Sequence, residues 1–238
     1  MPLKHKIVAL VFNDYEVLDL MGPLGSIIPR SDYYTVEFVS LSDNLNSLDV
    51  QSTLKNGILT PARISIDKFL AQQEHFDSIL IPGGVGVLPL MADPMVLQKI
   101  GKLVDLASNV FTVCTGSLLL AATGRLDGRE ATTNKVRFDA QTPGLPNVLW
   151  KKKARWVESG KFITSSGITA GMDAAFEFMV RTYVVPENRT TEPQVVHPKG
   201  DLTCPPGHSR TKAREHAHRT AHFLEYRWNT NSEDDPFA

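Results

Sequence analysis

The chain has 238 residues and a formal net charge of −1, which excludes the strongly basic character of most nucleic-acid-binding or membrane-surface proteins. Its two cysteines, Cys114 and Cys204, are too few for a disulfide framework and fit a reducing compartment. The sequence has no apolar run long enough to span a bilayer and no recognisable signal peptide, so we expect a cytosolic protein built around one α/β domain.

The first predicted element is a buried parallel strand over Ile7–Phe12, a continuous apolar run that ends at the turn pair Asn13-Asp14. Glu16 and Asp19 follow and are three residues apart, so they would share one face of a helix. If the first strand is central in its sheet, either carboxylate lies at the carboxyl edge, where α/β sheets bind ligands. An equally plain interpretation is that Asp19 caps a helix from Leu20 to Ile28.

A second strand is predicted over Tyr34–Ser40, followed by short extended pieces up to Ile66 and a short helix over Asp67–Gln73. The next strand, Asp77–Ile81, leads into a glycine-rich loop, Pro82–Val87. Glycines let backbone N–H groups approach a ligand closely, so this loop could hold developing negative charge. The loop lacks the Lys-Ser/Thr ending of a phosphate-binding loop.

Cys114 stands where an apolar, β-branched run turns into a Leu/Ala run, after a predicted helix over Pro94–Ala107. The strand Asp77–Ile81, this helix and the apolar run before Cys114 form a βαβ unit. A cysteine directly after the second strand would occupy a nucleophile elbow at the carboxyl edge of the sheet. The helix amino terminus beside it predicts a lowered thiol pKa. The alternative is a buried structural cysteine, which is common in apolar runs.

The last third of the chain is predicted to add a strand over residues 130–133, a strand over Phe162–Ser166 and a helix over Gly167–Tyr183. Residues 184–210 read as an irregular insertion that contains Cys204, and Thr211–Tyr226 as a further helix. His218 and His222 have the i, i+4 spacing of zinc helices, but no third ligand has a matching context, so we predict no metal site.

Five segments resemble the DJ-1/PfpI superfamily over residues 5 to 183, and more narrowly its isocyanide (isonitrile) hydratase branch. They are Asp19–Pro23, Ile81–Gly84, Val113–Ser117, Leu126–Thr133 and Gly167–Asp173.

The resemblance implies a flavodoxin-like α/β sandwich with a mostly parallel sheet, in a homodimer that acts on a small molecule without a metal or organic cofactor. We expect a core domain over residues 1–183, an irregular insertion over 184–210 that breaks the family's usual short run into the last helix, and a helix and tail over 211–238 that pack on the same domain. The site that the resemblance implies has Cys114 as nucleophile, Asp19 as acid/base group and Thr115 orienting that carboxylate. The backbone N–H groups of Gly84, Val85 and Thr115 would hold negative charge, and the substrate surroundings would include Gly83, Glu16 and Asn134.

Two positions depart from related patterns. Protease-like and many glyoxalase-like members have His directly after the cysteine where this chain has Thr115, which argues against peptidase or amidase chemistry. Hydratase-like members often have His-Trp where this chain has Asn134-Lys135, so the pocket wall differs. Three functions follow: a cofactor-free isocyanide hydratase forming a thioimidate at Cys114, a glyoxalase-like α-oxoaldehyde enzyme, and a redox-sensing or chaperone-like protein.

Overall fold

The structure is a computed structural model that describes residues 4–27, 33–41, 49–51, 59–183 and 210–238. Almost all of the predicted insertion, including Cys204, lies outside the described residues. None of the helices described is long and apolar enough to cross a membrane.

Strands and helices alternate along most of the described chain, as the sequence predicts. The strands are β1 (His5–Val11), β2 (Tyr34–Ser40), β3 (Asp49–Gln51), β4 (Leu59–Pro61), β5 (Ile64–Ser65), β6 (Ser78–Ile81), β7 (Asn109–Thr112), β8 (Glu130–Ala131), β9 (Leu149–Trp150), β10 (Trp156–Ser159) and β11 (Phe162–Ser165). The helices are α1 (Val17–Ile27), α2 (Ile66–Gln72), α3 (Val87–Met91), α4 (Pro94–Leu106), α5 (Gly116–Ala122), α6 (Lys135–Gln141), α7 (Ala170–Thr182) and α8 (Arg210–Phe223).

Seven strands form the main sheet in the order β10-β11-β7-β6-β1-β2-β5. Every neighbouring pair is parallel except β10 with β11. Helices flank the sheet in two groups, with α1 and α8 against α7 and with α2, α3 and α5 against α4. The predicted α/β sandwich with a mostly parallel sheet is therefore confirmed.

The central strand is β1, which pairs with β2 on one side and β6 on the other. Its apolar run explains this position, because Val8–Val11 are fully buried between the two helical layers. The chain leaves β1 towards β2 and later returns to β6 on the opposite side. The loops after β1 and β6 therefore diverge, and the crevice between them is the place where open α/β sheets bind ligands.

Local signals placed several helices where the sequence predicts them. Asp93 caps α4, since its Oδ1 accepts hydrogen bonds from the N–H groups of Met95 (2.9 Å) and Val96 (3.2 Å), and Pro94 occupies the first turn. The interpretation of Asp19 as a helix cap is wrong. Because α1 already begins at Val17, Asp19 lies within its first turn and is free to act elsewhere.

Two buried carboxylates of α7 bind the carboxyl-terminal helix and the tail. Glu177 of α7 accepts hydrogen bonds from Arg210 (2.9 Å) and Arg214 (3.0 Å) of α8. Farther along, Asp173 Oδ1 accepts from the Tyr226 hydroxyl and the Asn229 N–H, both at 2.9 Å. These contacts hold the segment after α8 against the same domain.

Candidate active site

Cys114 occupies a sharp turn between β7 and α5, with a backbone φ of +57°. Few residues other than glycine adopt this left-handed conformation, so the surrounding contacts must hold it. Its N–H lies 3.2 Å from the carbonyl oxygen of Ser165 and 3.1 Å from that of Ser166, at the end of β11. Its own carbonyl accepts the hydroxyl protons of Ser117 and Thr133, both at 3.0 Å. The predicted elbow is present, and its conformation is fixed from two sides.

The elbow lies directly against the end of β6, and Gly116 makes that approach possible. A Cβ atom on Gly116 would lie 2.3 Å from the Ile81 carbonyl oxygen, which is far inside van der Waals contact. The same residue begins α5. Glycine is therefore required at this point for the turn after Cys114 to pack on the neighbouring strand.

Asp19 is fully buried and faces the same turn. Its Oδ2 accepts a hydrogen bond from the Gly83 N–H at 3.0 Å, whereas its Oδ1 has no hydrogen-bond partner among the described residues. A Cβ on Gly83 would lie 2.8 Å from Oδ2 and 2.6 Å from the Thr115 hydroxyl, so only glycine fits there. One buried carboxylate oxygen is thus anchored by Gly83, and the Cys114 thiol lies within hydrogen-bonding reach of the carboxyl group.

Three hydrogen-bond donors surround the Cys114 sulfur: the backbone N–H groups of Thr115 and Ile168, and the side-chain amide of Asn134. Asn134 also caps α6, because its Oδ1 accepts the Arg137 N–H at 3.3 Å. Because this bond uses the amide oxygen, the NH₂ group is the part of the side chain that donates to the thiol. Ile168 has a φ of +24°, a strained value for a β-branched residue, in the turn that presents its N–H.

Burial dominates the protonation of both central groups. It raises the pKa of Asp19 from 3.8 to about 7; the Glu16 charge adds to this rise, and the Gly83 N–H and the thiol oppose it. Burial and the charge of Asp19 raise the pKa of the Cys114 thiol to about 12, although three donors favour the thiolate. The predicted lowering of the thiol pKa is therefore wrong, because burial outweighs the helix terminus. Near pH 7 the site holds a neutral thiol beside a carboxyl group that titrates.

A cavity of roughly 270 Å³ opens above the thiol. Two charged side chains, Glu16 and Arg137, line it. The remaining lining residues are mostly apolar or small: Gly84, Val85, Leu88, Cys114, Thr115, Leu118, Asn134, Val136, Gln141 and Ile168. The cavity suits a small molecule with an apolar body.

The structure brings all eight predicted site residues to this one place, but two of the contacts differ from the prediction. The Thr115 hydroxyl donates to the Gly84 carbonyl (3.2 Å) and accepts from the Gly84 N–H (3.0 Å). It therefore does not orient Asp19, whose carboxylate is held by Gly83 instead. The Gly84 N–H is likewise already used, whereas the Val85 N–H donates to no described residue.

No role was predicted from the sequence for several residues that the structure places at the site. The Ile168 N–H reaches the thiol, and Leu88, Val136, Arg137 and Gln141 line the cavity. Gly167 and Gly171 follow a strand that ends at the same sheet edge, and this pattern could have predicted a tight turn at Ile168. No comparable signal marks the α6 residues. In the described part of the chain, no three metal-ligating side chains cluster, and His218 and His222 lie on α8.

Comparisons with known proteins agree with this geometry. The sequence matches the model of the DJ-1/PfpI family over residues 5–181. It is similar to isonitrile hydratase of Pseudomonas putida, with 37% identity over 173 residues, which cover 70% of this chain and 67% of that protein.

Two solved structures show the same fold. A ThiJ/PfpI family protein from Pseudomonas syringae matches with a TM-score of 0.67 and 22% identity, over 94% of this chain and 76% of that one. A mutant DJ-1 superfamily protein from Salmonella typhimurium matches with a TM-score of 0.69 and 19% identity, over 94% of this chain and 100% of that one.

The buried carboxyl group makes stability depend on pH. Asp19 ionises near 3.8 when unfolded and near 7 when folded, so the wild-type protein loses stability as the pH rises between these values. We expect Asp19→Asn, which keeps an acceptor for Gly83, to raise the free energy of unfolding at pH 8 by roughly 2–4 kcal/mol. The gain should nearly vanish at pH 4. Urea unfolding at both pH values measures it, and an equal effect at both would contradict the assignment.

Proposed function

The chain belongs to the DJ-1/PfpI family, and on that basis we propose that it is a cofactor-free hydratase of the isonitrile hydratase type, with Cys114 as nucleophile. The observation that carries the proposal is the pairing of the Cys114 thiol with the buried Asp19 carboxyl group, whose pKa is raised to about 7. A group with this pKa can both accept and donate a proton at neutral pH.

The first step is addition of the thiol to the terminal carbon of an isocyanide. The sulfur forms a bond to that carbon while its proton passes to the Asp19 carboxylate, and Asp19 returns the proton to the same carbon. The product is a thioimidate on Cys114. Because the thiol is neutral at rest, its proton must leave as the new bond forms, and this makes a base within contact of the sulfur essential.

Water completes the reaction. Its oxygen adds to the thioimidate carbon, its two protons end on the nitrogen and the oxygen, and the intermediate is tetrahedral. The carbon–sulfur bond then breaks, the hydroxyl proton returns to the sulfur through Asp19, and an N-substituted formamide leaves. The donors around the sulfur, Thr115 N–H, Ile168 N–H and the Asn134 amide, favour its departure as a thiolate.

The site gives less support to the two alternatives. Many glyoxalase-like members have a histidine directly after the cysteine, whereas this chain has Thr115 at that position. A redox sensor needs a readily ionised thiol, whereas burial raises the pKa of Cys114 to about 12.

The direct test of the proposal is turnover of a small neutral isocyanide by purified protein, followed as formamide by mass spectrometry. We expect Cys114→Ala to abolish turnover and Asp19→Asn to reduce kcat by about 10²–10⁴-fold, since proton transfer fails without the carboxylate. Asp139→Asn, which removes an exposed charge of α6, serves as the matched control. Lactate from methylglyoxal without any formamide, or a Cys114 sulfinate without turnover of either substrate, would contradict the proposal.

The pH dependence should follow Asp19. Since the carboxylate form accepts the thiol proton, kcat/KM should rise with pH through an apparent pKa near 7 that belongs to the coupled pair. The Glu16 charge raises the pKa of Asp19, so Glu16→Gln should move the rising limb to lower pH. Initial rates between pH 5 and 9 measure both effects. A flat profile, or a limb that Glu16→Gln moves upward, would count against Asp19 as the base.

The proposal includes a homodimer, which is supported by exposed apolar side chains around the cavity mouth. Val85, Leu88 and Val136 line the cavity and are exposed, and Leu18 is exposed two residues beyond Glu16. Exposed apolar side chains grouped at a cavity often mark an interface. We expect light scattering to give twice the mass of one chain and Leu18→Glu to shift it towards one chain. Met95→Glu, at an exposed apolar position of α4, is the control, and a wild-type monomer would refute the dimer.

A further inference from the structure

The end of the chain, beyond the family match at residue 181, folds back towards the candidate site. After the Asp173 contacts, the tail runs beside the segment before β10, where the Arg155 N–H donates to the Ser232 carbonyl at 2.6 Å. Three residues later the Asp235 side chain is buried, with only 1% of its surface exposed. A buried carboxylate needs a compensating charge.

Lys135 supplies that charge. Its ammonium group lies 3.3 Å from Asp235 Oδ2, and only 6% of its side chain is exposed. The other carboxylate oxygen, Oδ1, accepts the Phe237 N–H at 3.1 Å, and the Lys135 ammonium group is the positive charge that pairs with the buried carboxylate. The same ammonium group donates to Thr132 Oγ1 (2.8 Å), Ala154 O (2.8 Å) and Thr133 O (3.3 Å). Lys152, in the turn after β9, is a second positive charge near the Lys135 ammonium group.

The segment that Lys135 binds, Thr132–Asn134, also contacts Cys114. Thr133 donates its hydroxyl proton to the Cys114 carbonyl, and Asn134 presents its amide to the Cys114 thiol. Lys135 is the next residue and begins α6, whose cap is Asn134. The ammonium group therefore binds the two residues just before Asn134, while Asp235 pairs with the ammonium group.

We propose that the carboxyl-terminal tail acts through the Asp235–Lys135 ion pair to position the Asn134 amide against the Cys114 thiol, and so sets the reactivity of that thiol. Asp235 and Lys135 are positioning residues, since neither lies against the sulfur. The inference rests on the proposed function in one respect, that Cys114 is the reacting group.

The physical reason is the cost of an uncompensated buried charge. Without Asp235 the Lys135 ammonium group would lose its counter-ion in a site from which water is excluded, and it would leave for solvent. Its hydrogen bonds to Thr132 and Thr133, just before Asn134, and its bond to Ala154 would break with it. The amide would then be free to turn from the thiol, and the thiolate would lose one of its three donors.

The test is the rate at which iodoacetamide alkylates Cys114, measured without substrate by mass spectrometry of the Cys114 peptide between pH 7 and 10. We expect Asp235→Asn to lower the rate about three- to tenfold at pH 8, because losing one donor to the thiolate raises the thiol pKa. Glu233→Gln, which removes an exposed charge from the same tail, should leave the rate unchanged. Asp235→Glu should restore most of it.

A second variant separates positioning from folding. Lys135→Met combined with Asp235→Leu replaces the pair with apolar groups and should retain the wild-type Tm, yet alkylation should stay slow. A wild-type rate and pH profile in Asp235→Asn or in the double variant, whatever the change in Tm, would overturn the proposal. No alkylation of wild-type Cys114 at any pH would instead refute the proposed function itself, so the two failures are distinguishable.

Discussion

The burial of one carboxyl group beside one thiol is the constraint on which the rest of the site depends. Asp19 and Cys114 lie in a setting that disfavours both charged forms, so each group's ordinary protonation behaviour is changed. The carboxyl group titrates near neutrality, and the thiol stays protonated until its proton is taken. The pair therefore holds no thiolate near pH 7, and in the proposed reaction proton transfer accompanies bond formation.

The fold makes this pairing possible because three strand ends meet at one edge of the sheet. Asp19 comes from the segment after β1, Gly83 from the loop after β6 and Cys114 from the turn after β7. The β6 and β7 loops are packed so closely that glycine is required at residues 83 and 116. The same closeness buries both groups, and burial is the largest cause of the two pKa shifts. Packing and electrostatics are thus one feature of this site.

Charge also links the site to parts of the chain that are far away in sequence. Asp173 accepts a hydrogen bond from the segment after α8, and the Arg155 N–H donates to the Ser232 carbonyl. Asp235 forms an ion pair with Lys135, next to the residue that caps α6. At the position where hydratase-like members often have Trp, this chain has the buried Lys135. Its charge is paired with Asp235, which is distant in sequence. The tail thereby becomes part of the support for the thiol.

The sequence by itself determined the features that are written locally. Apolar runs, turn pairs, caps and glycines predicted the order of strands and helices, the elbow at Cys114 and a carboxylate after the first strand, since these depend on neighbouring residues. Spacing could not choose between Glu16 and Asp19 or between a cap and a site residue. Only the tertiary structure decided that Asp19 faces the thiol, that the Thr115 hydroxyl bonds Gly84, that the Ile168 N–H reaches the sulfur and that Lys135 pairs with Asp235. Each of these depends on which groups burial brings together and strips of water, and that is a property of the folded chain as a whole.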